Sequence, residues 1–589
     1  MISEKNNSFM GPLSRIRFWY AILLIVIAVF LVRLFYLQVI RHDYYESSAL
    51  SSQLKEYEIP AKRGVIEVHS GDTIVPIVLN ETKYTLFADP KYIKNIDQVA
   101  EELQKVIGGD TSELKNKIST PDTRYVVLAK RLDKETSEKI NNLDIKGVGT
   151  RETDYRTYPQ GQLAAQLLGF VNDEAEGKYG VEQALNNELK GKPGLLKAIT
   201  DAQGVPLASQ KDNVLVESSE GNRVVLTIDI GLQQQLEDLL KKGLDNAQSS
   251  SGGALIMDAR TGEIKAMANF PTYDPSKYNQ VEDASLFTNP VVSAPLEVGS
   301  IMKPLTTAAA INQGLVDRNS SYFDPGYFVI DDAKITNIEE VGGAATKTVQ
   351  DIIQQSLNTG ATWLLMQMGG GQVNEKARNI WYDYMTNHYR LGKQTGIEQG
   401  YEAEGSIPDP NDGFGLNIQY ANSSFGQGMT ATPLQMAAAF ASVLNGGKYY
   451  KPTIVDKLVS SDGAVDDKLP VVLNENVISE QTSKELRDIL EYAFSKNHTF
   501  YGMPNLRPQY LMGGKTGTAQ IPKPGGGYYD DKYNGTFLGF VGGNQVEYVV
   551  AVRVDEPKIG GYAGSRAAAP IAMGLLNTLI DNYGVTPRN

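Results

Sequence analysis

The amino-acid sequence predicts a membrane-anchored α/β chain with one transmembrane helix, an N-terminal α+β domain, and a larger α/β domain of antiparallel sheet with helices packed on it. Three observations carry this expectation. Residues 18–32 are an uninterrupted apolar run that continues through Arg33 to Leu37, close to the roughly 20 residues a helix needs to cross a bilayer. The 589 residues hold 41% hydrophobic and 21% charged side chains, ordinary globular composition on a chain long enough for two or more domains outside the membrane. From about residue 222 helical patterns are flanked by strand patterns such as 546–554, and the chain closes on a helix over 570–580.

In chain order, residues 1–16 are a short tail, 17–40 the anchor, 41–221 the smaller domain and 222–589 the larger one. Lys5, Arg15 and Arg17 precede the apolar run, which places the N-terminus in the cytoplasm, with Phe18, Trp19 and Tyr20 as an interfacial belt. Arg33 has two readings, a side chain that snorkels to the outer interface or one that meets a partner helix; the first is favoured. No small-residue cleavage site closely follows the run, so a retained anchor is expected rather than a cleaved signal peptide. Within 41–221, strands are expected over 73–79, an edge because of Pro76, and over 84–88. A helix over 97–107 puts Val99, Leu103 and Val106 on one face, and Ser112 is expected to cap a short charged helix that follows. In the larger domain, Pro522-Lys523-Pro524-Gly525-Gly526-Gly527 separates two strands and reads as a mobile flap.

Composition also excludes. A net charge of −13 argues against a nucleic-acid partner, and the absence of cysteine rules out disulfides. His42, His69, His388 and His498 are scattered without ligand spacing, so neither a Ser-His-Asp triad nor a zinc site is expected.

The chemistry resides in Ser300-Ile301-Met302-Lys303, Ser356-Leu357-Asn358 and Lys515-Thr516-Gly517-Thr518. Alone each is weak: Ser-x-x-Lys also occurs at Ser52/Lys55 and Ser112/Lys115, and Ser-x-Asn at Ser495/Asn497. Local setting selects among them. Ser300 opens an Ala- and Leu-rich helical stretch in which Pro304 is tolerable only in the first turn, so a helix N-terminus with its unpaired N–H groups should sit beside the hydroxyl. Lys303 follows one turn later on the same face and can reach that hydroxyl. To take its proton, Lys303 must spend time neutral, although a free lysine titrates near about 10.4; burial and the Lys515 cation would both lower it. Ser356, after a helical pattern, can relay a proton to a leaving amine, and Asn358 offers an amide to substrate backbone. Lys515, Thr516 and Thr518 lie on an apparent strand, where a cation and hydroxyls suit a carboxylate.

These motifs, in this order, resemble class B penicillin-binding proteins. So do Leu226-Thr227-Ile228-Asp229, the hairpin from Met257-Asp258-Ala259-Arg260-Thr261-Gly262 to Ala268, Arg390-Leu391-Gly392, Ser424-Phe425-Gly426-Gln427-Gly428 and Ala567-Ala568-Ala569-Pro570. In the smaller domain Arg63-Gly64-Val65-Ile66, Arg156-Thr157-Tyr158-Pro159, Leu168-Gly169-Phe170 and Gly180-Val181-Glu182 are similar to segments of that family's pedestal, or dimerisation-type, domain. Departures are Val68-His69-Ser70-Gly71 in place of Asp-Arg-Asn-Gly, Val298 where proline is common, and Leu357 where serine is frequent.

The resemblance implies a serine-type peptidoglycan D,D-transpeptidase that cross-links stem peptides and is acylated by β-lactams. It implies catalytic Ser300, Lys303 and Ser356, substrate binding by Asn358, Lys515, Thr516, Gly517 and Thr518, and an oxyanion hole from the backbone N–H groups of Ser300 and Thr518. No cofactor or metal is implied. The implied partners are D-Ala-D-Ala donor and amine acceptor peptides, the membrane, a SEDS-family glycan polymerase and divisome or elongasome proteins, since no glycosyltransferase domain or C-terminal PASTA repeat is recognised. A division role is favoured over elongation. The alternatives are a D,D-carboxypeptidase or β-lactamase, for which no activating glutamate is evident, and a non-catalytic β-lactam-binding scaffold or sensor.

Overall fold

The computed structural model describes residues 12–45, 54–59, 61–121, 123–199, 214–338 and 343–588. Lys5, most of the expected tail and Ser52 lie outside the described residues, as do the side chains of Arg15 and Lys55.

One compact unit comprises the described parts of Met1–Ala61 and Lys192–Ser219. Its helix Pro12–Phe35 runs into a π-helical turn, Tyr36–Ile40. The stretch Ile16–Ile40, mean hydropathy 2.6, is the one helix among the described residues long and apolar enough to cross a membrane. The Arg33 guanidinium lies 5.5 Å from the centre of the Tyr36 ring, and Arg41 Nε donates to Tyr36 Oη at 3.0 Å. Tyr36 thus gathers two arginines at one end of the span. The unit also holds a three-stranded antiparallel sheet of Leu54–Ile59, Gly194–Ile199 and Val214–Val216.

The second unit is Lys62–Gly191 with Glu220–Asn589. Strand Arg223–Asp229 is buried along most of its length because it is central, lying parallel to Ile66–Ser70 on one side and antiparallel to Val455–Val459 on the other. A seven-stranded mixed sheet therefore runs across the expected 221/222 division. The two strands expected at 73–79 and 84–88 are one, Thr73–Ala88. Its polar middle looks like a break in sequence, yet Asn80 to Lys83 pair in register with Thr153 to Arg156 of Val148–Thr157. Pro76 falls in the half paired on one side only, by Ile66–Ser70, where a missing N–H costs nothing.

Helix Ile96–Ile107 buries Val99 and Leu103 as its periodicity requires. The next helix, Thr111–Ile118, is capped by Asp110, whose carboxylate accepts from Ser112 N at 2.8 Å, so Ser112 sits in the first turn and is not the cap. A carboxylate there meets both the free N–H groups and the positive end of the helix dipole. The Arg63, Arg156 and Glu182 segments converge on one buried cluster. Glu182, wholly inaccessible, accepts from Arg63 Nε and Arg156 Nε, both at 2.7 Å. Asn186 and Asn80 accept one further N–H from each arginine.

The catalytic half is built on a five-stranded antiparallel sheet in the order Ile264–Phe270, Ser251–Asp258, Val546–Asp555, Tyr528–Gly542, Leu511–Pro522. Alternation divides its strands between two cores. Ala254, Ile256, Val550 and Val552 pack with helices Ile230–Ala247 and Ala569–Asn582, while Leu255, Met257, Val549 and Ala551 face the helices Lys303–Asn312 and Pro433–Leu444. The second core holds the Ala-rich helix that follows Ser300.

Candidate active site

Ser300 lies in a 3₁₀ turn, Gly299–Met302, that leads into helix Lys303–Asn312 with Pro304 in its first turn. The helix expected from Ser300 thus begins as a tighter turn, and the proline takes the position where its missing N–H is harmless. Leu511–Pro522 is the edge strand of the sheet and runs beside this turn, leaving one row of its backbone groups without a strand partner. Two glycines permit the approach. At Gly299, φ is +64° and a Cβ would come within 2.8 Å of Thr518 O; at Gly517 one would lie 2.2 Å from Thr536 Oγ1. Thr536 Oγ1 in turn donates to Val298 O at 2.9 Å, binding the sheet to the nucleophile turn.

Lys303 is wholly buried, with Nζ 2.8 Å from Ser300 Oγ, 2.6 Å from Ser356 O, 3.2 Å from Ser356 Oγ and 2.8 Å from Asn358 Oδ1. Burial first, and Lys515 second, hold its pKa well below the usual lysine value. Lys515 Nζ donates to Ser356 Oγ at 2.9 Å and to Thr516 O at 3.0 Å. Burial pushes Lys515 itself down to about 7. Ser356 bridges the two amines from the loop between helices Val349–Gln354 and Asn358–Met368, held at φ +58°, a left-handed conformation unusual for serine. Asn358 is occupied at both ends of its amide, accepting from Lys303 and donating to Thr336 O at 3.1 Å. Its first role in this geometry is to hold Lys303.

A cleft of about 600 Å³ opens over these groups, lined by Ser300, Ser356, Asn358, Lys515, Thr516 and Thr518. Thr518 Oγ1 accepts from Gly564 N at 3.0 Å. The structure thus brings together Ser300, Lys303, Ser356, Asn358 and the Lys515 to Thr518 strand, and takes in neither Ser112/Lys115 nor Ser495. Motif spacing missed Lys347, Gln355, Asn497, Phe500 and Tyr501, which line the same cleft. It also missed Glu297, three residues before Ser300, whose Oε1 accepts from Gly428 N and from Tyr528 Oη, each at 2.9 Å. Proximity in sequence to Ser300 was the one available signal for Glu297; Asn497 carried only the Ser-x-Asn match set aside above, and nothing local marks the others.

Residues 252–577 match the family model described as penicillin binding protein transpeptidase domain, and residues 58–226 the penicillin-binding protein dimerisation domain. Stage V sporulation protein D of Bacillus subtilis is 29% identical over 579 residues, 96% of this chain and 86% of that protein. Peptidoglycan D,D-transpeptidase FtsI of Escherichia coli is 26% identical over 575 residues, covering 96% of this chain and 91% of that one. In fold the chain is similar to penicillin binding protein 2X from Streptococcus thermophilus, with TM-score 0.70 and 23% identity over 90% of this chain and 80% of that one. Penicillin binding protein 3 from Mycobacterium tuberculosis, solved with aztreonam, gives TM-score 0.67 at 24% identity, covering 90% and 98%.

Proposed function

The chain belongs to the penicillin-binding protein transpeptidase family, and from that premise we propose that Ser300, Lys303 and Ser356 carry out its acyl transfer. It is a peptidoglycan D,D-transpeptidase of the β-lactam-binding class, anchored by a single apolar helix. The observation that carries the assignment is Lys303 Nζ, buried and within hydrogen-bond distance of both hydroxyls. Neutral Lys303 takes the Ser300 Oγ proton as Oγ attacks the penultimate D-alanyl carbonyl of a donor stem peptide. The backbone N–H groups of Ser300 and Thr518 receive the oxyanion. Lys515, Thr516 and Thr518 hold the terminal carboxylate, and Gly517, with no room for a Cβ against Thr536 and Val298, keeps that strand close to the Ser300 turn rather than making space for substrate. Collapse breaks the C–N bond, Ser356 passes its hydroxyl proton to the departing D-alanine amine, and the Lys303 ammonium reprotonates Ser356. An acceptor amine then reverses the sequence on the acyl-enzyme. A β-lactam enters by the same first step, but its leaving group stays attached.

The division role is preferred, supported by relatives named peptidoglycan D,D-transpeptidase FtsI, probable peptidoglycan D,D-transpeptidase PenA and penicillin-binding protein PbpB. Lys5, Arg15 and Arg17 ahead of the uninterrupted apolar run 18–32 and a wall substrate outside the membrane support a cytoplasmic N-terminus, with residues 41–221 as pedestal and 222–589 as the transpeptidase domain. A SEDS-family polymerase and divisome proteins would supply glycan strands. Intact-mass measurement of the full chain in detergent after penicillin treatment tests the site. One penicillin added to the wild type and none to Ser300→Ala is the expected result. Rapid penicillin loss without an adduct would make the protein a β-lactamase, and neither adduct nor loss a scaffold.

A further inference from the structure

We propose that Lys347, presented by Gln355, binds a carboxylate of the acceptor peptide and so selects anionic acceptors in the second half of the reaction. This rests on the transpeptidase reading above. The direction of acceptor entry follows from the geometry of that reading. The oxyanion site fixes the carbonyl oxygen and Ser300 the acyl carbon, so the entering amine takes the position the leaving amine vacated, on the side of the group that moves its proton. That group is Ser356, and the acceptor therefore lies on the Ser356 and Lys515 side of the cleft.

Beyond Ser356 on that side stand residues the chemistry does not use. Lys347, half-buried on strand Ala345–Thr348, donates from Nζ to Gln355 Oε1 at 2.7 Å, and Gln355 is the chain neighbour of Ser356. Gln354 Nε2 donates to Asn497 Oδ1 at 3.1 Å, and Asn497 Nδ2 to Tyr501 Oη at 3.3 Å, so the neighbouring polar groups are already bound to one another. Phe500, 57% exposed, lines the same cleft and offers an apolar surface beside them. Among the described residues no carboxylate lines the cleft and none lies at ion-pair distance from Lys347. A cation held by a neutral amide, in a cleft with no carboxylate among its described lining residues, is available to an anionic ligand. An acceptor stem peptide supplies the match, since it carries free carboxylate as well as its amine.

The test uses the full chain in detergent, a D-alanyl thioester as donor, and glycyl-D-alanine against its C-terminal amide as acceptors. In Lys347→Met, aminolysis relative to hydrolysis should fall about tenfold for the carboxylate acceptor and less than about twofold for its amide, the size expected for loss of a charged hydrogen bond. Lys347→Arg should restore the discrimination. Equal losses for acid and amide would assign Lys347 a structural role and overturn the proposal, as would no loss for either. A penicillin adduct measured on the same samples separates the two levels. Its absence in the wild type defeats the transpeptidase reading, whereas its presence without acid-amide discrimination defeats only the role of Lys347.

Discussion

Glu182 in the N-terminal region and Lys303 beneath the nucleophile are both wholly buried, but one is gripped by opposite charges and the other faces a second lysine. Around Glu182 two guanidiniums and two asparagine amides converge, and Arg156 Nη2 and the nearby Tyr158 hydroxyl are left buried without a partner. Around Lys303 the partners are hydroxyls, a carbonyl and an amide oxygen, none of which carries charge. The first arrangement pairs opposite charges and holds distant segments in place. The second makes charge costly, so the amine is driven towards its neutral, basic form. Burial alone therefore does not mark a functional residue; burial without a counter-ion does.

The comparison is sharpened by removing one member from each cluster. Lys303→Met replaces the amine with an apolar chain of similar length. The second-order rate of acylation by penicillin should drop on the order of a thousandfold, as when a general base is lost, while circular dichroism and the melting profile stay those of a folded protein. Glu182→Ala should do the reverse. It strands two buried guanidiniums and should cost about 3–5 kcal/mol of stability in urea denaturation, with the acylation rate per folded molecule within about twofold of wild type. If Glu182→Ala lowered acylation at unchanged stability, the division between structural and chemical charge burial would be wrong.

A smaller effect separates the two lysines from one another. Lys303 must be neutral to accept a proton, so the rate of acylation should rise as pH passes upward through its depressed pKa. Lys515 must be protonated to hold a carboxylate, and that form is lost as pH rises through about 7. The profile for the free enzyme should therefore be bell-shaped, with its alkaline limb near about 7. In Lys515→Arg the guanidinium stays charged, so the alkaline limb should move up by more than about one unit, with roughly tenfold lower activity at the optimum because the fork cannot reproduce the ammonium contact. An unmoved limb would mean that Lys515 does not set it.

The reading from sequence went furthest where chemistry depends on close spacing. Ser300 and Lys303 lie one helical turn apart, Ser356 and Asn358 flank a loop, and Thr516 and Thr518 alternate on a strand, so local geometry alone oriented each group. It fell short where the partner was distant. The 16-residue strand Thr73–Ala88 looked like two because its polar middle is held by a strand some seventy residues later. Asp110 took the cap assigned to Ser112 because one position in register decides which side chain meets the free N–H groups.

The sequence by itself determined the pairing of Ser300 with Lys303, the strand that flanks them and the apolar helix, because each is written in neighbouring residues obeying a period of 3.6 or 2. The tertiary structure alone decided that Arg63, Arg156 and Glu182 share one buried site, that burial lowers the pKa of Lys515, that Asn358 holds Lys303, and that Lys347 reaches the cleft beside Ser356. Those facts depend on desolvation and on contacts between segments far apart in the chain, and no local pattern of residues encodes either.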